Sequence, residues 1–462
     1  MNTKSNKNPK EQGTQQSTLF DLGEPDPLQA ASHRKLVGGT PRLNMADRIQ
    51  VQFRAFAWND LLPEDHQARI VWDYVESIDM GPLYKKISAV EGRPGRPPID
   101  PKILLALWIY ATLRGVGSAC ELDRRCNPEE GELPFQWICG DVRVNYHTLA
   151  DFRTAHVEFL DDLLTNSVAV LLNENLVNMD RVAQDGMRVR ASAGSSSFRR
   201  GETLERCIEE AKKQVETLKA ELDSDSTAGS RRKRAARERA ARERAERIKR
   251  ASDQLPEIEA KKKAKDRDKA RASTTDADAR VMKMGDGGFR PAYNVQFATD
   301  TESQVITGVD VTNSGGDQGQ MAPMVEQHEQ RYQQTPKEML VDGGFVKKED
   351  IEEVSEPNGN TTVYSPVMQS KSDNRDPHTP RDDDSPVIAA WRKRMATDEA
   401  KLIYRERAST AECVNAIARN RGMQQFRVRG RPKVLAVVLL YALTHNIMRT
   451  AALRAATETK AA

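Results

Sequence analysis

Aromatic side chains are scarce in this chain, at 5% of its residues, so large ring clusters cannot carry its core or its binding surface. Cysteine is scarcer still. Cys120, Cys126, Cys139, Cys207 and Cys413 are odd in number and show no CxxC spacing, which excludes a disulfide framework and a paired-cysteine zinc site and points to a reducing compartment. Charge of one sign is also missing overall. The formal net charge is +3, so any contact with a polyanion has to come from local clusters. The strongest apolar runs, "ILLALWIYATL" (103–113) and "VLAVVLLYAL" (434–443), are half the roughly 20 residues that a membrane span needs. Both are expected to be buried core helices, with no membrane partner. The opening "MNTKSNKNPKEQGTQQST" is polar, lacks a signal-peptide pattern, and is expected to be a disordered tail on a cytoplasmic protein. His147, His156 and His445 have no metal-pair spacing, and His445 in "LTHNIM" is expected to be a satisfied core residue.

What remains is long and highly charged: 462 residues, 38% hydrophobic and 30% charged, enough for two to four domains. Residues 1–45 read as tail and 46–175 as helical. Asp100 before Pro101 marks a helix start, with a capping oxygen followed by a proline that needs no donor. The short helices up to residue 175 resemble a helix-turn-helix arrangement, or a plain helical packing domain. From 176 the pattern changes to alternation, with strand signals at "RVAQDGMRVRA", "PAYNVQFATD", "SQVITGVDVT", "EMLVD" and "TTVYSPV". Helical segments follow the third, fourth and fifth strands, and Ser385-Pro386 opens one of them. That order describes an α+β protein whose second part, 176–456, is a mixed α/β domain. Residues 201–280 interrupt it with charged helix. "RRKRAARERAARERAERIKR" (231–250) has eleven basic and three acidic residues, and its apolar positions are mostly alanine, too small to hold a core. Two readings stay open there, a solvated hairpin or coiled coil and an arm that tracks phosphates.

Two aspartates sit in matching frames. "VAQDG" places Asp185 on an extended segment before glycine, and "MLVDGGF" does the same with Asp342. Small residues after the acid leave room for a cation and a phosphate, and hard divalent ions need only two or three such oxygens. Gly343 and Gly344 are expected to let the backbone turn away. The helical stretch "YRERASTAECVNAIARNRG" supplies a third acid, Glu412 or its competitor Glu406, read there as one continuous helix. Three such acids suit two-metal phosphoryl transfer, with ions about 4 Å apart. Asp286, Asp310 and Asp317 read as turn or supporting groups, with Asp317 expected to cap the following helix.

At this level of detail the chain resembles the insertion-sequence transposases of the DDE class, in the group with an InsH-like N-terminal domain. The likeness runs from about 45 to 453 and rests on "RPPIDPKILLALWIYATLRGVGSACELDRRC", "NYHTLADFR", "QDGMRVRA", "VDGGF", "YRERASTAECVNA" and "RNRGMQQFRVRGRPKVLAVVLLYALTHNIMR". The resemblance implies a helical N-terminal domain (46–175) that binds DNA ends, then a ribonuclease H-like catalytic domain with the charged helical insertion. It implies Asp185, Asp342 and Glu412 as catalytic metal ligands, with Mg²⁺ as cofactor and Mn²⁺ as substitute. Tyr404 and Arg407 match the Tyr and Arg of the family's Tyr–Arg–Glu–Lys signature, and Arg419 stands where lysine is usual. Met187 departs from the pattern, since a hydroxyl residue often follows the first Asp-Gly.

Double-stranded DNA, both element ends and target, is the implied partner of a homo-oligomer. The basic residues Arg419, Arg421, Arg427, Arg429, Arg431 and Lys433 are expected to track phosphates beside Glu412, with alternation in "RVRGR" giving one charged face. Arg124, Arg125, Arg143 and Arg153, with Asn145 and His147, are expected to contact DNA from the N-terminal helices. Two alternatives stand beside this reading: a catalytically silent DNA-binding derivative, and a helical scaffold assembled through its charged coil.

Overall fold

In the computed structural model, residues 57–87, 89, 97–224, 228–369 and 375–461 are described. The expected tail, 1–45, lies outside them. Seven helices come first: α1 (Gln67–Ser77), α2 (Gly81–Tyr84), α3 (Pro101–Leu113), α4 (Ala119–Arg125), α5 (Leu133–Cys139), α6 (Tyr146–Ala155) and α7 (Val157–Asn173). Asp100 caps α3 as the sequence suggests, its carboxylate accepting from Lys102 N at 2.9 Å. Because α3 is apolar all round, it is buried almost throughout.

The sheet part contains β1 (Arg181–Arg190), β2 (Phe198–Arg199), the helices α8 (Gly201–Ser224) and α9 (Ala228–Ala260), β3 (Ala272–Ser273), β4 (Arg280–Lys283), β5 (Phe289–Asp300) and β6 (Ile306–Thr312). After these come α10 (Met321–Tyr332), β7 (Glu338–Leu340), α11 (Lys348–Val354), β8 (Thr362–Tyr364), α12 (Pro386–Ala396), α13 (Asp398–Arg407), α14 (Cys413–Asn420) and α15 (Arg431–Ala461). The fold is thus a mixed α+β one; the five expected strands appear in order as β1, β5, β6, β7 and β8, while the short β2, β3 and β4 were not expected. Strand β1 is central. It pairs antiparallel with β5 and parallel with β7, which pairs parallel with β8; β4 and β6 both pair with β5.

Helix α15 joins the two parts. It packs against α3, α6 and α7 and also against β6, in one continuous hydrophobic core. The apolar run 434–443 therefore belongs to a 31-residue helix, longer than the sequence run suggests. Its stretch Arg431–Thr459 is long and apolar enough to cross a membrane, but 67% of the apolar window is buried within the protein, as a core helix would be. Asn446 bonds both Ile306 N (2.9 Å) and Ile306 O (2.8 Å), taking the place of a neighbouring strand at the start of β6.

The charged insertion forms a helical hairpin, α8 against α9, fastened at its base by the β2–β3 pairing. It holds a small core of its own, contrary to the expectation from its alanines. Leu204 of α8 and Ile248 and Leu255 of α9 supply the bulk that alanine cannot.

His328 and His445 are both buried, and burial holds both imidazoles down to about 4. His445 bonds Gln304 O at 2.8 Å, the satisfied core role expected of it. With the ordinary value near 6.5 in the unfolded chain, the unfolded state binds more protons between pH about 6.5 and 4. Stability from these two groups is therefore full above pH about 6.5 and falls as pH drops toward 4. Denaturant titrations across this range are expected to show that decline, and His445→Asn is expected to make it shallower.

Candidate active site

The parallel register sets the site. Arg181 lies opposite Glu338, Val182 opposite Met339 and Ala183 opposite Leu340. Continued two residues past β7, that register sets Asp342 beside Asp185, on neighbouring strands about 4.8 Å apart. Asp185 is the better buried, with 17% of its side chain exposed against 40% for Asp342.

The third acid arrives on an irregular helix. Residues Ala408–Glu412 form a π-turn between α13 and α14, packed against β1 and β5. In a regular α-helix, five residues advance about 500°, which would leave Arg407 and Glu412 on different faces. The wider i→i+5 turn brings them nearly into line. The single helix read from the sequence is therefore broken at the position that aims Glu412.

All three carboxylates meet at one guanidinium. Arg407 Nη2 lies 3.0 Å from Asp185 Oδ1 and 3.9 Å from Asp342 Oδ2, while Nη1 lies 3.2 Å from Glu412 Oε1. Only 9% of the Arg407 side chain is exposed, against 59% for Glu412, so the cluster runs from the sheet outward to solvent. Burial pushes the Asp185 carboxyl up; Arg407 opposes this, and the Asp342 charge adds to it. Burial likewise works against the Arg407 charge, but Asp185 first, then Tyr404, Asp342 and Glu412, outweigh it and raise its pKa. Tyr404 is half-buried alongside, and burial raises its phenol. Glu406 faces elsewhere. Its carboxylate pairs with Arg181, the first residue of β1, at 2.6 Å.

One support, Asn415, escaped the sequence reading, and another, Asp317, was expected as a supporting group but in a different place. Asn415, buried, donates to Asp185 Oδ2 at 2.8 Å and fixes the carboxylate from α14; its only sequence signal is helical spacing from Glu412. Asp317 does not cap α10. It lies under β1, accepting from Asn294 (2.7 Å) and Gln296 (2.8 Å) and pairing with Arg188 (3.1 Å). A Cβ at Gly186 would fall 1.9 Å from Asp317 Oδ1, which explains glycine after the first acid. The glycines after Asp342 lie in the expected turn, closed by Phe345 N donating to Asp342 O at 3.2 Å. Neither adopts the left-handed backbone. Gly344 N donates to Asp342 Oδ1 at 2.8 Å, and a Cβ there would press on that same oxygen at 3.0 Å. The pair orients the carboxylate.

Of the expected basic track, Arg419, Arg427, Arg429, Arg431 and Lys433 are exposed, while Phe426 and Val428 point inward, so the alternation is present. Arg421 is not on the track, being half-buried near Tyr441, with its pKa lowered by burial. Among the N-terminal candidates, Arg143 is exposed and Arg124 pairs with Glu121. Arg125 is held by Glu121 and Glu132. Arg153 is a core residue. It donates to Gly117 O at 2.7 Å, lies over the Trp108 ring, and is brought down to about 10 by burial.

Two protein-family models match separate parts of the chain. Residues 369–451 match the transposase DDE domain, and residues 56–155 match the transposase domain DUF772. Together the two matches indicate an insertion-sequence DDE transposase. The DDE match contains Tyr404, Arg407 and Glu412, and the two aspartates precede it in the chain. No curated protein and no solved structure matches the chain.

Among the described residues, no three His, Cys, Asp or Glu side chains are arranged to hold a metal ion while Arg407 stands between them. In kind the donors fit a hard divalent cation: three carboxylates, all oxygen, against a single guanidinium.

Proposed function

We propose that this transposase cuts and joins the DNA ends of its insertion sequence by two-metal-ion phosphoryl transfer, with Asp185, Asp342 and Glu412 holding the ions. The observation that carries this reading is the convergence of those three carboxylates on Arg407, across two adjacent parallel strands and a π-turn. The sheet, an antiparallel β1–β5–β6 arrangement flanked by parallel β7 and β8, supports a ribonuclease H-like core for residues 176–456.

The chain's own groups divide the work. Asp185, fixed by Asn415 and the Gly186 N–H, is the rigid ligand, Asp342 is aimed by Gly344, and Glu412 faces solvent, where DNA would enter. Bound Mg²⁺, or Mn²⁺ in its place, would activate the attacking oxygen and stabilise the leaving one. Arg407, next to the reacting phosphate in this reading, would exchange carboxylate contacts for phosphate contacts, with Tyr404 beside it. Arg419, Arg427, Arg429, Arg431 and Lys433 would carry the DNA backbone away from the site. The helical part, 46–175, would bind element ends, with Arg124, Arg125 and Arg143 as its exposed or half-exposed cations. A two-ended reaction calls for a homo-oligomer on DNA, in the cytoplasm at the nucleoid.

The test is cleavage of labelled duplex carrying the element's own ends, in Mg²⁺, by the parent and by Asp342→Asn. Cutting at the ends by the parent alone is expected. Specific binding without cutting in Mg²⁺ or Mn²⁺ would favour a silent DNA-binding derivative instead.

A further inference from the structure

The hairpin insertion is held against the arginine track by a chain of hydrogen bonds. On α9, Gln254 donates to Asp278 Oδ1 at 2.5 Å and accepts from Arg280 at 2.8 Å. The other Asp278 oxygen accepts from Arg431 N at 2.9 Å. Asp276, buried, accepts from Gly430 N at 3.1 Å and from Tyr293 OH at 2.7 Å. Both aspartates satisfy amides at the start of α15, and Asp278 binds the hairpin's second helix to the end of "RVRGR". The placement of α9 beside the track is therefore built in.

The two surfaces that meet there are both basic. Arg247 of α9 is about two-thirds buried, yet its Nε has no partner among the described residues. Its guanidinium pKa is lowered, by burial first and then by the nearby Arg429 charge, with Arg244 and Arg250 adding to it. Its one carboxylate contact, Glu243, is long at 3.9 Å. Arg429 itself donates only its Nε to a backbone oxygen, that of Ser192 at 3.1 Å, and forms no ion pair among the described residues. A guanidinium about two-thirds buried, with its Nε unmet among the described residues and the Arg429 charge felt nearby, describes a seat for an anion. Their neighbours along α9, Arg244 and Arg250, are exposed and extend the strip outward.

We infer that α9 and the arginine track form one continuous phosphate-binding strip on duplex DNA, with Arg247 and Arg429 sharing a phosphate and the hairpin serving as a DNA-gripping arm. This rests on the transposase reading above and assigns the insertion a part in it. The two readings of this segment, hairpin and phosphate arm, are compatible, and the seat adds the second to the first. The contact is with backbone phosphates, so it carries no sequence preference.

Non-specific binding to a random-sequence duplex, measured across a salt series, tests it. Each lost phosphate contact reduces the slope of log K against log salt by about 0.9. The full-length Arg247→Ala/Arg250→Ala protein is expected to lose about two such units, and Arg247→Lys/Arg250→Lys to recover most of them. Should the double variant melt below the parent, Arg250→Ala alone, at an exposed position, is expected to lose about one unit. An unchanged slope in these alanine variants would overturn the arm. End cleavage by the parent keeps the two readings apart: a protein that cuts its ends with an unchanged alanine slope loses only the arm. One that neither cuts nor binds DNA loses the catalytic reading and the arm with it.

Discussion

Glu412→Gln is expected to lower end cleavage about 10³-fold, on the order of 4 kcal/mol of transition-state stabilisation, while Glu406→Gln leaves cleavage near the parent level. The two glutamates lie six residues apart in "YRERASTAE", and composition cannot separate them. Geometry does. Glu412 shares Arg407 with Asp185 and Asp342, whereas Glu406 is bound to Arg181, which is also held by Glu338 at 2.5 Å. Glutamine keeps the size of the side chain and removes the charge, so folding should be little changed at exposed Glu412. Cleavage assays on labelled ends, with thermal melts of both variants, decide the matter. Loss of cutting in Glu406→Gln with survival in Glu412→Gln would mean that the π-turn aims the wrong acid.

The second large effect belongs to Arg407. In Arg407→Ala, Asp185 would be left buried beside Asp342 without its cation, a loss of about 3–5 kcal/mol in metal-free protein. A divalent ion meets the same need for positive charge, so Mg²⁺ should restore stability in the variant more than it stabilises the parent. An ion at a hundredfold its Kd would return about 2.7 kcal/mol. Arg407→Lys keeps the charge but not the fork that reaches three carboxylates, and should fall between. Denaturant unfolding with and without Mg²⁺ measures all three. Equal metal responses in parent and Arg407→Ala would show that the guanidinium and the ion do not contend for one place.

Some of this was legible in the chain. Local signals survive because they act within a few residues. The Asp100-Pro101 and Ser385-Pro386 helix starts are found where expected, with Ser385 Oγ accepting from Ile388 N at 3.4 Å. The strand order, the antiparallel turn between β5 and β6, and the inward Phe426 and Val428 of "FRVRGR" likewise follow from pattern alone. The paired frames of Asp185 and Asp342 also pointed to extended segments that carry both acids.

Most of the main elements, and the acids they carry, can be read from local pattern. Tertiary structure decided what those acids face. Arg407 could be read as a surface cation until folding set it among three carboxylates, and Arg153 and Arg421 until helix packing buried them. Asp317 and the glycines took their roles from contacts with residues distant in sequence or from turn geometry that spacing does not reveal. The physical reason is register. A helix face or a turn is fixed by neighbours three or four residues away, but the meeting of β1 with β7 joins residues more than 150 positions apart, and one extra residue in a π-turn redirects a side chain without altering the composition that surrounds it.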